Sequence, residues 1–243
     1  MEKDSMLYWW PKATTPPRVV PMPETVMVKH HVRMSDQFGV SGIDTIERKV
    51  QAAVDRVGMP VFIRTDQMSG KHAWKDTCYY DGSQELWKHI TQLCEESWSC
   101  DLFGVRVAGF AVRQYIELDA PFKAFWGEMP VARERRYFVE DGEVLCHHPY
   151  WIEKAINRPS TSAWEGLLKK LNREPKHEIK TLTAYAEDLS CKLPGYWSLD
   201  FARAKTGGWY FIDAATGEHS WHPECPIATA RPRDTGFEDR EPI

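Results

Sequence analysis

None of the six cysteines (Cys78, Cys94, Cys100, Cys146, Cys191 and Cys225) forms a C-x-x-C pair, which removes the usual signatures of a zinc ribbon and of a thioredoxin-like redox site. A basic excess is missing too: 31 Lys and Arg stand against 35 Asp and Glu, a formal net charge of −4. A protein that coats duplex nucleic acid by neutralising phosphates is therefore not expected. No apolar run reaches the roughly 18–20 residues that cross a bilayer, and the mean hydropathy of −0.51 agrees. The opening MEKDSMLYWWPK lacks a basic start followed by an apolar stretch, so a secretory signal is not expected. Neither the G-x-x-x-x-G-K-[ST] phosphate loop, nor the G-x-G-x-x-G dinucleotide turn, nor the K-x-D-G of lysyl-adenylate ligases occurs. A Walker-type, Rossmann-type or nucleic-acid-ligase reading thus loses its chemistry. The expectation is a soluble cytoplasmic protein.

What is present is an ordinary globular composition: 243 residues, 42% hydrophobic and 27% charged, enough for one or two domains. Cysteines scattered through such a chain read as buried reduced thiols. Eleven tryptophans run from Trp9 to Trp221 without a spacing pattern, which favours core and interface packing over a stacking or sugar-binding surface. Two segments have a soft-metal composition, Cys146-His147-His148 and His219-Ser220-Trp221-His222-Pro223-Glu224-Cys225. Neither carries a zinc-finger spacing. Zinc at His219, His222 and Cys225 is one reading; residues that line a cleft or pack is the favoured one.

Five prolines before Glu24 (Pro11, Pro16, Pro17, Pro21 and Pro23) predict an extended lead-in, because proline removes donors and disfavours helix before it. Ile43, Ile46, Val50, Val54 and Val57 recur at helical spacing, with Asp44 and Glu47 as a capping box. Met59 to Ile63 reads as a buried strand, a helix follows from about Ser83, and Val105 to Ile116 reads as one or two strands broken at Gly109. Asp141-Gly142 between two apolar strands is a strong hairpin signal. Helix is expected over about 162–189, then strands at 196–202 and 209–214 around Gly207-Gly208. The last dozen residues, from Arg231, read as a loose tail. Hairpin-joined strands with helices between them make the fold α+β.

Three groups of residues carry candidate chemistry. Asp200 and Asp213 end paired strands and converge if those strands form one hairpin; two carboxylates at one point suit a hard cation such as Mg2+. Turn caps, or pairs with surface lysines, are the alternative. Arg64 leaves a strand just before Ser69-Gly70-Lys71, a cation beside a small flexible loop that suits phosphate oxygens. Glu134 and Arg136 alternate onto one face of the strand 134–139, either as an ion pair of little value at a surface or as a clamp facing a cleft.

Taken in order, these pieces resemble the ATP-grasp superfamily over about Val20 to His222, with mainly antiparallel sheets in two α+β subdomains holding ATP between them. The closest flavour is the branch of small ATP-grasp proteins of bacteriophages and bacteria, on the phrases Val61-Phe62-Ile63-Arg64 and His148-Pro149-Tyr150-Trp151; a phage-encoded chain would work in the host cytoplasm. The resemblance implies an N-terminal lead-in (1–23), a subdomain with the phosphate loop (24–112), a subdomain with the metal-binding acids (113–230) and the tail (231–243). It implies ATP and Mg2+ as cofactors. Arg64 and Lys71 would meet phosphates, Gln114, Tyr115 and Ile116 frame adenine, Glu134 face ribose, and Asp200 and Asp213 bind Mg2+. Arg136 and Lys71 would serve the reacting centre.

The activity implied is a carboxylate–amine or carboxylate–thiol ligase that forms an acylphosphate and releases ADP. Its substrates would be small-molecule or peptide carboxylates and amines, with neither membrane nor nucleic acid as partner and with a homodimer or a protein partner in view. An ATP-binding assembly factor of weakened catalysis is the rival, since some eukaryotic members act as chaperones. Three departures bear on catalysis. Arg64 stands where the family usually has lysine, Ala215 where many members place a metal-binding asparagine, and Ser198-Leu199 where a basic residue is usual. Arginine keeps the charge but changes its geometry.

Overall fold

The computed structural model describes residues 3–30, 40–101 and 107–231. Along the chain run α1 (Met6–Ala13), β1 (Thr25–Lys29), α2 (Val40–Val57), β2 (Val61–Thr65), β3 (Tyr79–Tyr80), α3 (Leu86–Asp101), β4 (Gly109–Gln114), β5 (Phe122–Ala124) and β6 (Met129–Val131). Then come β7 (Glu134–Glu140), β8 (Glu143–Pro149), α4 (Trp164–Leu171), α5 (Lys176–Ser190), β9 (Tyr196–Arg203), β10 (Trp209–Thr216) and α6 (Pro226–Ala230). The strands form two four-stranded sheets, ordered β1-β4-β2-β3 and β10-β9-β7-β8, and a β5-β6 ribbon. Every strand pair is antiparallel, so the α+β expectation holds.

Strand alternation sorts each sheet into two faces. In the first sheet, Val61, Ile63, Phe110, Val112 and Val28 point to one side and pack on Val50, Val54, Ile90 and Leu93 of α2 and α3. Phe62 and Arg64 of β2, with Arg113 of β4 in register with Phe62, point to the other side. In the second sheet, Tyr137, Val139, Leu199, Phe201 and Phe211 pack on α5 and α1, which leaves Glu134, Arg136, Asp200 and Asp213 on the opposite face. Each helix layer thus shields one sheet's apolar side and turns its polar side toward the cleft.

The hairpin between β7 and β8 forms at Asp141 and Gly142, both with positive φ (45° and 97°), the geometry that an Asp-Gly pair favours. Gly109 opens β4 where a Cβ would lie 2.4 Å from the Val28 carbonyl oxygen, so the close approach of β1 explains the glycine there.

Three expectations need correction. The lead-in is not extended throughout: Met6–Ala13 is helical, with Pro11 inside it. Ser5 caps this helix, accepting from the Leu7 amide and donating to Asp66 at 2.6 Å. Trp9 is fully buried and meets Phe211 edge to face at 5.5 Å. Tertiary burial supplies what two turns with a proline cannot supply alone. Asp44 does not cap α2, because that helix already begins at Val40. Nor are all cysteines buried: Cys191 is exposed and Cys146 and Cys225 are half-buried. The tail beyond Arg231 lies outside the described residues. No helix among the described residues is long and apolar enough to cross a membrane.

Candidate active site

A cleft opens between the polar faces of the two sheets. Its lining includes Arg64, Ser69 and Lys71 from the first sheet and the loop after it, Gln114, Tyr115 and Ile116 at the end of β4, and Glu134, Asp200 and Asp213 from the second sheet. Eight of the nine residues singled out from the sequence therefore line one cavity. The ninth, Arg136, does not line it but stands behind Asp200.

The second sheet carries a row of directly paired residues, His148–Arg136–Asp200–Asp213, across all four strands. Arg136 donates from Nε to Asp200 Oδ1 and from Nη2 to Oδ2, both at 2.8 Å, and from Nη1 to the Trp221 carbonyl at 3.1 Å. Its guanidinium also lies 4.7 Å from the Tyr150 ring centroid. Burial disfavours its charge, but Asp200 outweighs that, and the Arg136 pKa is held above the ordinary arginine range. A fork-to-fork pair of this kind fixes a carboxylate rather than merely attracting it.

Asp213 reaches the row through a β-bulge. From Trp209 to Phe211 the strands β10 and β9 pair evenly, then the register slips at Ile212 so that Asp213 faces Asp200. Unbulged, Ile212 would oppose Asp200 and Asp213 would point to the core side. The displaced Ile212 carbonyl accepts from Arg113 Nη1 at 2.6 Å. Asp213 Oδ2 meets Arg64 Nη1 at 2.7 Å, an ion pair across the cleft.

Arg113 is the residue that sequence reasoning missed. It is 4% exposed, its guanidinium lies 5.1 Å from the Trp10 ring centroid, and its Nε and Nη2 have no hydrogen-bond partner among the described residues. Burial and the neighbouring Arg64 pull its pKa down to about 9, with Asp213 opposing. A buried cation with two unused donors at the wall of a cleft is costly unless an anion comes to it. The signal was an arginine inside the apolar run Gly109-Phe110-Ala111-Val112-Arg113. Its meaning depends on β4 lying between β1 and β2, where a side chain cannot swing out past an edge.

Lys71 donates to the Tyr150 hydroxyl at 2.9 Å and lies 4.2 Å from that ring and 4.8 Å from the Trp151 ring. Burial lowers its pKa, but Tyr150, Glu134 and Asp200 outweigh burial and hold it above the usual lysine range. Glu134, 5% exposed, accepts from Trp151 Nε1 at 3.1 Å. Burial raises its pKa more than Lys71 lowers it, and Asp200 adds to the rise. Gln114 turns its side-chain oxygen toward the Glu24 amide at 3.4 Å. Phe62, Trp74, Leu118, Met129 and Ile212 give the cavity apolar walls, as small-molecule sites generally have.

Ala215 pairs with Ser198, one step beyond Asp213 on the cleft side, and offers no ligand there. Glu218 is exposed in the turn after β10 and does not line the cleft. The second soft-metal segment does not assemble as a His219–His222–Cys225 site, because His219 bonds Asp4 at 2.5 Å and Thr216 instead.

Comparison with known proteins gives a family and a fold. Over residues 51–234 the sequence matches a family described as an ATP-grasp domain, family 3 of its clade. No curated protein matches it. Among solved structures, C-terminally truncated Cdc123 from Schizosaccharomyces pombe superposes with a TM-score of 0.55 at 10% identity, over 88% of this chain and 83% of that one. D-alanine–D-alanine ligase from Bacillus anthracis, complexed with ATP, gives 0.47 at 10% identity, over 87% of this chain and 52% of that one. N5-carboxyaminoimidazole ribonucleotide synthetase from Thermotoga maritima gives 0.44 at 11% identity. The chain covers 41% of that synthetase's length.

Proposed function

From the premise that this chain belongs to that ATP-grasp domain family, we propose that it is an ATP- and Mg2+-dependent carboxylate–amine or carboxylate–thiol ligase that forms an acylphosphate and releases ADP. One observation carries the reading. Arg64, Lys71 and Arg113 on one wall meet Asp200, Asp213 and Glu134 on the other, and Arg113 keeps two donors unused.

The donor set fits both groups. Two carboxylates face each other across β9 and β10, and each oxygen has lone pairs beyond those its arginine takes, so Asp200 and Asp213 would hold the hard cation. Bound there, Mg2+ supplies neutralisation of phosphate charge. Arg113, Arg64 and Lys71 bind phosphate oxygens, Gln114, Tyr115 and Ile116 frame the adenine, and Glu134 faces the ribose side. A substrate carboxylate oxygen attacks the γ-phosphorus, the bond to the bridging oxygen breaks, and ADP leaves. An amine or thiol then adds to the acylphosphate carbonyl, losing its proton as inorganic phosphate departs. The chain's part in these steps is positioning plus charge stabilisation. Arg136, held by Asp200 and the Trp221 carbonyl, positions Asp200 in this reading instead of touching the reacting group.

A second reading, an ATP-binding assembly factor with weakened catalysis, is favoured by one observation: Ala215 offers no ligand beside Asp213. The test is ADP formation from Mg·ATP with pooled carboxylate and amine acceptors, against Asp213→Asn. Acceptor-dependent ADP that disappears in the variant supports the ligase. Nucleotide binding without product supports the assembly factor, and AMP as product contradicts both.

A further inference from the structure

At the far end of the Arg136 row, away from the carboxylates, four soft ligands meet. Cys146 and His148 are two apart on β8 and so share a face, while His222 and Cys225 come from the segment between β10 and α6. Their ligand atoms all lie within 4.8 Å of one another. Cys146 Sγ is 3.0 Å from His222 Nε2, His148 Nε2 is 3.2 Å from it, Cys225 Sγ is 3.4 Å from it, and the two sulfurs are 4.0 Å apart. Three different polar atoms thus crowd one ring nitrogen, which has either one lone pair or one proton to offer. The sulfurs are far beyond the roughly 2.05 Å of a disulfide.

These spacings are those of ligands around one ion. With Zn–S near 2.3 Å and Zn–N near 2.05 Å, a tetrahedron separates its sulfurs by about 3.8 Å, sulfur from nitrogen by about 3.5 Å and its nitrogens by about 3.3 Å. We propose that Cys146, His148, His222 and Cys225 form a structural zinc site. Two thiolates and two neutral imidazoles give a soft, tetrahedral donor set that suits Zn2+ over Mg2+ or Ca2+, and the four protein ligands leave no position for a substrate. Two thiolates also cancel the charge of the ion, which suits a half-buried site. The apolar wall is Phe138, fully buried, with its ring centroid 3.8 Å from that of His222.

The site has a structural purpose that can be read from its neighbours. After β10 the chain crosses the polar face of the second sheet. Ser220 meets Ser198 at 2.5 Å, the Trp221 carbonyl accepts from Arg136, and His222 then reaches His148 and Cys146 on the edge strand. The ion clips the end of this crossing to β8, and so holds the carbonyl that steadies Arg136. The site does not rest on the ligase reading.

The test is zinc content by mass spectrometry of the full-length protein, expressed with added zinc and purified without chelators, together with replacement by Co2+. About one zinc per chain is expected, with cobalt bands typical of tetrahedral thiolate coordination. Cys225→Ser should lose the thiolate-to-cobalt band or weaken it strongly, and His219→Ala should keep full metal content. Should Cys225→Ser not fold, the cobalt spectrum of the wild-type protein decides alone. Zinc below about a tenth per chain with no cobalt–thiolate band, a Cys146–Cys225 disulfide, or metal loss in His219→Ala would each overturn the assignment.

Discussion

The two sheets present opposite charge to the cleft, and they differ in how far that charge is satisfied. On the second sheet every cleft-facing ion has a partner in the folded chain: Asp200 holds Arg136 by both oxygens, Asp213 holds Arg64, and Glu134 accepts from Trp151. On the first sheet Arg64 is matched, but Arg113, equally buried, spends one donor on the Ile212 carbonyl and leaves two unused. The pKa directions separate the two arginines in the same way, up for Arg136 and down for Arg113. A satisfied buried arginine is scaffold; an unsatisfied one is a place kept for an anion.

Substitutions can break this comparison, and the largest effect belongs to the satisfied side. Arg136→Ala leaves Asp200, 8% exposed at its side chain, without its partner. That costs about 3–5 kcal/mol, a fall in the melting midpoint of roughly 6–20 °C for a chain of this size. A midpoint within about 2 °C of wild type would show that the pair contributes little. Next comes Asp213→Asn, expected to fold but to lose ADP formation by about 10²–10³-fold, the usual effect of removing one preorganised electrostatic group; unchanged turnover removes Asp213 from the mechanism.

Arg113→Met sharpens the contrast most. The fold gains little from a charge that its own groups do not satisfy, so the midpoint without ligand should stay within about 2 °C of wild type. Affinity for Mg·ATP should fall by roughly 10–100-fold, the value of one or two charged hydrogen bonds. Calorimetric titration and a melt on the same sample separate the two effects, and a large loss of unliganded stability would place Arg113 with the scaffold.

The smallest expected effect is a pH slope. Glu134 has a folded pKa above the ordinary 4.5, so the folded chain binds its proton more tightly than the unfolded chain does. Its contribution is full below 4.5 and is lost as pH rises through the raised value. Glu134→Gln keeps an oxygen for Trp151 and removes the titration. The variant should therefore gain on wild type as pH climbs from 4.5 through the raised value. Parallel midpoint curves for the two proteins would contradict the shift.

Much of this arrangement was legible from residue order. Alternation alone put Glu134 and Arg136 on one face, and the Asp-Gly turn fixed the β7–β8 hairpin. What escaped the sequence depends on neighbours distant along the chain. The convergence of Asp200 and Asp213 needs the bulge at Ile212, and no residue there announces a slipped register. Pro11 argued against a helix that burial of Trp9 and Trp10 makes stable. Arg113 looked like one polar residue in an apolar strand until the sheet order placed β4 between two others. The thiol–imidazole cluster joins residues 74 and more apart along the chain, and local spacing had drawn His219 into it instead of Cys146 and His148.

The central claim is that the cleft between the sheets is built for Mg·ATP, and a thermal melt of the wild-type chain tests it most directly. The control is ATP without Mg2+, with GTP beside it; EDTA is avoided, since a chelator would also attack the thiol–imidazole site. At about 100 times the dissociation constant a ligand adds roughly 2.7 kcal/mol, and each kcal/mol moves the midpoint by about 2–4 °C. The account predicts a rise of roughly 5–11 °C that is selective for ATP and needs Mg2+. No rise at millimolar Mg·ATP would contradict it.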